Sequence, residues 1–208
     1  MNSTSEQQDA QHLRMTTAPV PGLILSLSVP SIITCIITSV YNMADTFFVA
    51  QLGTAAVAAV GVVFSISSVL SALGFWMGTG GSSLVSLYLG AREKEKAHCA
   101  ASTGFFLALG LGGAIAAGGL LALEPLMRLL GTPENVFADS QLYLNVYIGG
   151  LTFLFLYNIC TGVFTALGDS RTPLYFLIAS SLANIVMDVV FVVCFHMGVG
   201  GVAWATFL

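Results

Sequence analysis

After residue 18 the chain is built almost entirely of long apolar runs separated by short polar breaks. A bilayer crossing by helix needs about 20 mostly apolar residues. On that measure the pattern predicts spans at about 23–50, 55–88, 97–123, 141–167 and 174–196, with a sixth from 200 that stops at Leu208. The breaks are Gln51-Leu52-Gly53-Thr54, a charge cluster at 91–96, a polar stretch at 124–140, a tight turn at 168–173 and a glycine-rich turn holding Gly198, Gly200 and Gly201. The second run is longer than one crossing needs, so its end should project beyond the bilayer. Residues 1–18 are polar and carry no secretory signal, and they are expected to form a disordered cytosolic tail. The expected fold class is all-α, a polytopic membrane helix bundle. A bundle needs complete crossings to satisfy its backbone in lipid, so with its short sixth span the chain is expected to be a fragment or an incomplete gene product.

Composition strengthens the membrane reading. The 208 residues are 56% hydrophobic and 8% charged, with a mean hydropathy of +0.90, against about 25% charged in soluble domains. The net charge is −4 and no basic patch exists to neutralise phosphates, so no nucleic-acid partner is expected. Arg14, Arg92, Lys94, Lys96 and Arg171 fall on one side of the predicted topology and Arg128 on the other. That bias places the amino terminus in the cytosol of a cell inner or plasma membrane protein. Cys35, Cys99, Cys160 and Cys194 are far apart and form no CxxC pair, so free buried thiols are expected.

Two carboxylates change the picture from membrane protein to membrane site. Asp45 and Asp188 each stand alone in an uncharged run, at an insertion cost of roughly 2.5–3.5 kcal/mol at the bilayer centre. Tyr41 and Asn184 precede them by four residues, on the same helix face. Counting helical rise puts Asp45 roughly 33 Å up from Leu23 and Asp188 roughly 21 Å up from Leu174, with Thr206 roughly 9 Å below Gly200. These depths converge on the outer third to half of the bundle, whereas Asn158, roughly 26 Å down from Gln141, lies deeper. Asp45 as an interfacial residue and Asp188 as a structural acceptor are the plain alternatives. A shared site is the sharper expectation: paired carboxylates in a low dielectric take a proton or a cation. Asn184 and Thr206 add neutral oxygens, and no organic cofactor or bound metal is expected beyond a coupling H+ or Na+.

Other features carry less. Pro30 interrupts the first span, as a static kink or as a hinge. Gly74 and Gly78 have small-xxx-small spacing and predict close helix packing rather than a phosphate loop, and Gly112, Gly113, Gly118 and Gly119 are read the same way. His196 is expected at the membrane interface.

Taken in order, several segments resemble one family. They are Tyr41-Asn42-Met43-Ala44-Asp45 with Leu52-Gly53, then Leu84-Val85-Ser86 with Leu89-Gly90-Ala91, and Gly168-Asp169-Ser170-Arg171-Thr172-Pro173. Asn184-Ile185-Val186-Met187-Asp188 and Gly200-Gly201-Val202-Ala203-Trp204-Ala205-Thr206 follow. The set is similar to the multidrug and toxic compound extrusion (MATE) transporters, in the branch with a first-helix aspartate. The resemblance implies a first six-helix lobe of a two-lobe transporter, with the sixth helix truncated and the second lobe absent from this chain. It implies export of small organic, often cationic, compounds across the lipid bilayer in exchange for H+ or Na+. Asp45, Asn184, Asp188 and Thr206 would form the cation site, with Tyr41, Tyr143 and Asn158 in support and Pro30 as the bending proline. The nearest alternative is a lipid-linked saccharide flippase. Such a flippase usually holds pyrophosphate with a cationic cavity, and no Lys or Arg lies within any predicted span. An intramembrane aspartic protease, a dyad activating water, fits poorly because neither aspartate follows Gly-x-Gly. An enzyme is therefore not expected.

Overall fold

The computed structural model describes residues 19–207. The expected tail at 1–18 and the terminal Leu208 lie outside them. The helices are α1 (Val20–Gln51), α2 (Thr54–Gly90), α3 (Lys94–Leu129), α4 (Glu134–Gly149), α5 (Leu151–Ala166), α6 (Arg171–Asp188) and α7 (Gly198–Phe207). A π-helical segment, Val189–Cys194, continues α6. α1, α2, α3 and the α6–π unit are each long and apolar enough to cross a membrane, and α4 and α5 together make one span bent by 47°.

Tight turns end these helices in a recurrent way. At Leu129 the Thr132 amide bonds the Met127 carbonyl (3.1 Å) and the Gly131 amide bonds Arg128 (3.1 Å), with Gly131 at φ 67°. α5 ends identically through Gly168. These are Schellman closures, which satisfy the last carbonyls and favour glycine at the left-handed position. The turn after α5 also starts α6. Asp169 accepts from the Arg171 and Thr172 amides at 3.1 Å each and from the Thr172 hydroxyl at 2.6 Å. Those bonds hold the Asp169 carboxyl below the usual carboxylate range, the Thr172 hydroxyl contributing most. Asp169 thus caps α6.

Several boundaries differ from the sequence expectation. The stretch 124–140, expected as a polar connection, is helical apart from a short turn. α3 runs on past Pro125 to Leu129, where Arg128 pairs with Glu124 across one turn (3.0 Å), and α4 begins at Glu134. The fifth span starts at Arg171 rather than 174, because Asp169 caps it. The expected glycine-rich turn is mostly helix: Gly200 and Gly201 lie inside α7, close to Leu142 and Phe191. Only Gly198, at φ 60°, marks the break, with exposed His196 at φ 51° before it. The fourth span is interrupted at Gly149-Gly150, where a Cβ on Gly150 would lie 2.6 Å from the Phe207 ring. A glycine pair is a common cause of a sharp kink.

α2, α3, α4 and α5 form the best-packed group, around fully buried Leu123, Met127, Leu144, Ile148, Leu151 and Phe155. Glycine spacing sets the α2–α5 seam. A Cβ on Gly74 would lie 2.9 Å from the Phe155 ring and one on Gly78 2.6 Å from the Asn158 carbonyl, and one on Gly162 would fall on the Gly78 carbonyl. Gly112 and Gly119 pack likewise on Thr152 and Ile148, but Gly113 and Gly118 face open space, against expectation. α1 packs chiefly on α6 and lightly on α2 and α7. α7 in turn packs on α4, so it joins the α1–α6 pair to the rest. The four cysteines are free, as expected, but exposed rather than buried. With no surrounding water-like shell to avoid, an apolar outer surface accepts them as readily as Leu or Phe.

Candidate cation site

Four helices meet around the two aspartates. Asp45 lies near the end of α1, Asp188 is the last residue of α6, Thr206 is on α7 and Tyr143 on α4. Asp188 is fully buried and Tyr143 nearly so, while Asp45 and Thr206 are half-buried. The Asp45 and Asp188 carboxyl groups are within hydrogen-bonding reach of each other, with the Thr206 hydroxyl beside Asp45. The Thr206 hydroxyl donates to the Val202 carbonyl one turn back at 2.9 Å. Tyr143 lies 3.5 Å from the Thr206 oxygen, at the outer limit of a hydrogen bond. The Thr206 hydroxyl thus stands between the Val202 carbonyl, Tyr143 and Asp45, with one proton to give and lone pairs to offer.

The defining property is a surplus of acceptors. Both Asp188 oxygens, Asp45 Oδ1 and Asn184 Oδ1 are buried and receive no hydrogen bond among the described residues. Buried polar atoms are nearly always paired, so a cluster of unpaired oxygens requires an account. The described Lys and Arg side chains lie toward the helix ends, and two of them are already in ion pairs, Lys96 with Glu93 (2.8 Å) and Arg128 with Glu124 (3.0 Å). What such oxygens lack is a proton or a hard cation, and carboxylate, amide and hydroxyl oxygens are the donor set such cations prefer.

The structure thus brings together Asp45, Asp188, Thr206 and Tyr143, with Asn184 one turn before Asp188 on α6. Tyr41 is half-buried one turn before Asp45 and within its electrostatic reach. Asn158 does not join them. Its amide donates to the Leu154 carbonyl at 2.8 Å, and the residue fills the α2–α5 seam against Gly74 and Gly78. The reason is the depth noted from sequence: α5 carries it away from the aspartate layer. Pro30 sits inside an unbroken α1, and the Thr34 hydroxyl donates to its carbonyl at 3.0 Å.

Sequence reasoning missed two features. One is the π-helical segment directly after Asp188, a departure from α-helix often found at functional sites. It carries no signal in a run of Val and Phe. The other is Tyr147, bonded to Ser71 on α2. Its spacing of four residues from Tyr143 could have shown it.

Known proteins resemble this chain over most of its length. The MatE family model matches residues 30–190. The chain is 33% identical over 171 residues to "Probable multidrug resistance protein YpnP" of Bacillus subtilis (strain 168), covering 81% of this chain and 38% of that protein. It is 26% identical over 174 residues to an "FAD transporter" of Shewanella oneidensis, covering 84% of this chain and 38% of that one. Among solved structures it is similar to an outward-facing multidrug resistance MATE family transporter of the MOP superfamily. The TM-score there is 0.86 at 32% identity, covering 89% of this chain and 41% of that one. The chain therefore spans about two-fifths of the length of these relatives. With its all-helical bundle and the match over most of its length, the chain belongs to the MATE transporter family.

Proposed function

We propose that the chain forms the first lobe of a secondary antiporter that exports small organic, often cationic, compounds in exchange for H+ or Na+. Asp45, Asp188, Asn184 and Thr206 hold the coupling cation, with Tyr41 and Tyr143 around them. The carrying observation is the cluster of buried oxygens without donors. Family membership and the multidrug name of a relative support the substrate class. A second lobe completes the substrate cavity, and the uncovered apolar face of α1, with Ile36, Val40, Met43 and Phe47 all more than half exposed, is suited to meet lobe or lipid.

Coupling follows from the site's energetics. A cation is held strongly where the carboxylates are sequestered and weakly where they are hydrated, so its affinity differs between two conformations and biases them. One charge moving inward supplies about 2.3 kcal/mol per 100 mV. Efflux of a fluorescent cationic dye from cells expressing the gene, under an imposed H+ or Na+ gradient, tests this. Asp45→Asn and Asp188→Asn should each lose export while still inserting into the membrane. Export at the unmutated rate by both variants, under either gradient, would rule out the pair as the coupling site. Running FAD beside the dye separates an anionic cargo from a cationic one.

The amino terminus faces the cytosol in this reading, supported by the five-to-one placement of cations. With the four native cysteines replaced, a Lys94→Cys variant should be labelled by a membrane-impermeant thiol reagent only in inverted vesicles, and Asn135→Cys only in intact cells. The opposite pattern would falsify the orientation.

A further inference from the structure

One turn beyond Tyr143 on α4 lies a second polar cluster. The Tyr147 hydroxyl and Ser71 Oγ are 2.5 Å apart, and Tyr147 donates to the Ser67 carbonyl at 3.4 Å. Either hydroxyl can donate in the short bond, and the phenol proton has two acceptors in reach, Ser71 Oγ and the Ser67 carbonyl. Ser67 and Ser71 stand one turn apart in the middle of α2. A half-buried hydroxyl pair there adds little net stability over a well-packed apolar pair. The α2–α4 contact is in any case already tied by the buried Ser140 hydroxyl, which donates to the Ala59 carbonyl at 3.2 Å.

The cluster lines up with the carboxylates. Tyr143 and Tyr147 share one face of α4 about 6 Å apart along its axis. One water, at about 2.8 Å per hydrogen bond, spans such a gap. Tyr143 meets Thr206, and Thr206 lies beside Asp45. Tyr41 on α1 is within electrostatic reach of both Asp45 and Tyr147, so α1 flanks the same column. Measured from the turn between α1 and α2, Asp45 lies roughly 9 Å in and Ser71 roughly 26 Å in. The hydroxyls therefore descend from the carboxylate layer toward the middle of the bundle.

We infer that Tyr143, Tyr147 and Ser71 line the route by which the coupling cation moves between the Asp45–Asp188 pair and the middle of the bundle. Each hydroxyl offers both a donor and a lone pair, so the column can pass a hydrated Na+ or hand on a proton. Ser71 positions the Tyr147 phenol at the end of the column. The inference rests on the cation-site reading above and extends it from where the ion sits to how it arrives.

Trp204 provides the readout. It lies two residues before Thr206, with its ring edge-on to Phe207 at 5.5 Å, and Trp76→Phe leaves it as the single tryptophan. In lipid nanodiscs, rapid mixing with Na+ or with acid should change its fluorescence at a measurable rate. The groups facing the column that titrate are Asp45, Asp188, Tyr41, Tyr143 and Tyr147. In that background Tyr147→Phe and Ser71→Ala should each slow both arrival and departure by roughly tenfold, the barrier change expected from one lost hydrogen bond, with the midpoint concentration unchanged. Unchanged rates would overturn the route. So would a shifted midpoint with an altered departure rate alone, since that marks a ligand rather than a path. Ser71→Ala, which removes a single oxygen, decides the matter should Tyr147→Phe fail to fold. No response to either cation in the Trp76→Phe chain itself would bring down the cation-site reading and the route together. A normal response with untouched rates would bring down the route alone.

Discussion

Asp188→Asn is expected to abolish the dependence of the bundle's stability on the coupling cation while leaving the bundle folded. Asp188 is fully buried and neither of its oxygens meets a donor among the described residues. An ionised carboxylate in that setting is costly until something neutralises it. A cation that binds only the folded state stabilises it by mass action, about 2.7 kcal/mol at a hundredfold excess over its dissociation constant. Asparagine keeps the shape and removes the charge, and its amide places a donor among acceptors. The variant should therefore unfold in cation-free detergent at or above the temperature of the unmutated chain. Its unfolding temperature should then stay put as Na+ is added or as pH is lowered, where the unmutated chain responds to one of the two. An equal response from both chains would remove Asp188 from the site. Asp45→Asn should show the same loss in weaker form, because Asp45 is half-buried and has one oxygen, not two, in the unpaired set.

Gly78→Val should destabilise the bundle through packing alone. A Cβ there would lie 2.6 Å from the Asn158 carbonyl oxygen and 3.0 Å from the carbonyl carbon. Both are backbone atoms of α5, which no change of rotamer can move aside. Across the same seam Gly162 approaches the Gly78 carbonyl, so α5 cannot slide along α2 to make room. Overpacking of this kind costs about 1–3 kcal/mol, and valine brings no offsetting gain in helix propensity. Gly80→Ala is the control. Gly80 lies on the same helix with nothing within 4 Å of its Cβ position, so its unfolding temperature should not fall. Thermal unfolding of both variants in one detergent measures the difference. A Gly80→Ala loss as large as that of Gly78→Val would mean that α2 resists any added side chain and that the seam is not the cause.

Both effects could be located from the chain only in part. The fold class was legible because a bilayer imposes a simple rule: backbone groups must be satisfied within each crossing, so long uncharged runs mean helices. Single charges in such runs are conspicuous for the same reason, which is why Asp45 and Asp188 stand out without any structure. The i,i+4 partners Tyr41 and Asn184 follow from helical period alone, and small-xxx-small spacing pointed to the Gly74–Gly78 seam.

Tertiary structure decided the rest. Rise per residue gives depth and no azimuth, so the sequence could place Asp45, Asp188 and Thr206 in one layer but could not say that three helices turn them toward one point. Asn158 shows the limit from the other side: polar, and of the right type for a ligand, it is claimed by a helix seam. Which glycines are contacts was equally undetermined, since Gly112 and Gly113 are neighbours in the chain but only Gly112 faces a partner helix. The π-helical turn after Asp188 carries no signal in a run of Val and Phe, and the glycine pair at 149–150 permits a bend between α4 and α5 without fixing its 47° angle. Local period and hydrophobicity belong to the chain. Facing and register belong to the packed bundle, because in a uniformly apolar helix no stripe in the sequence tells one side from another.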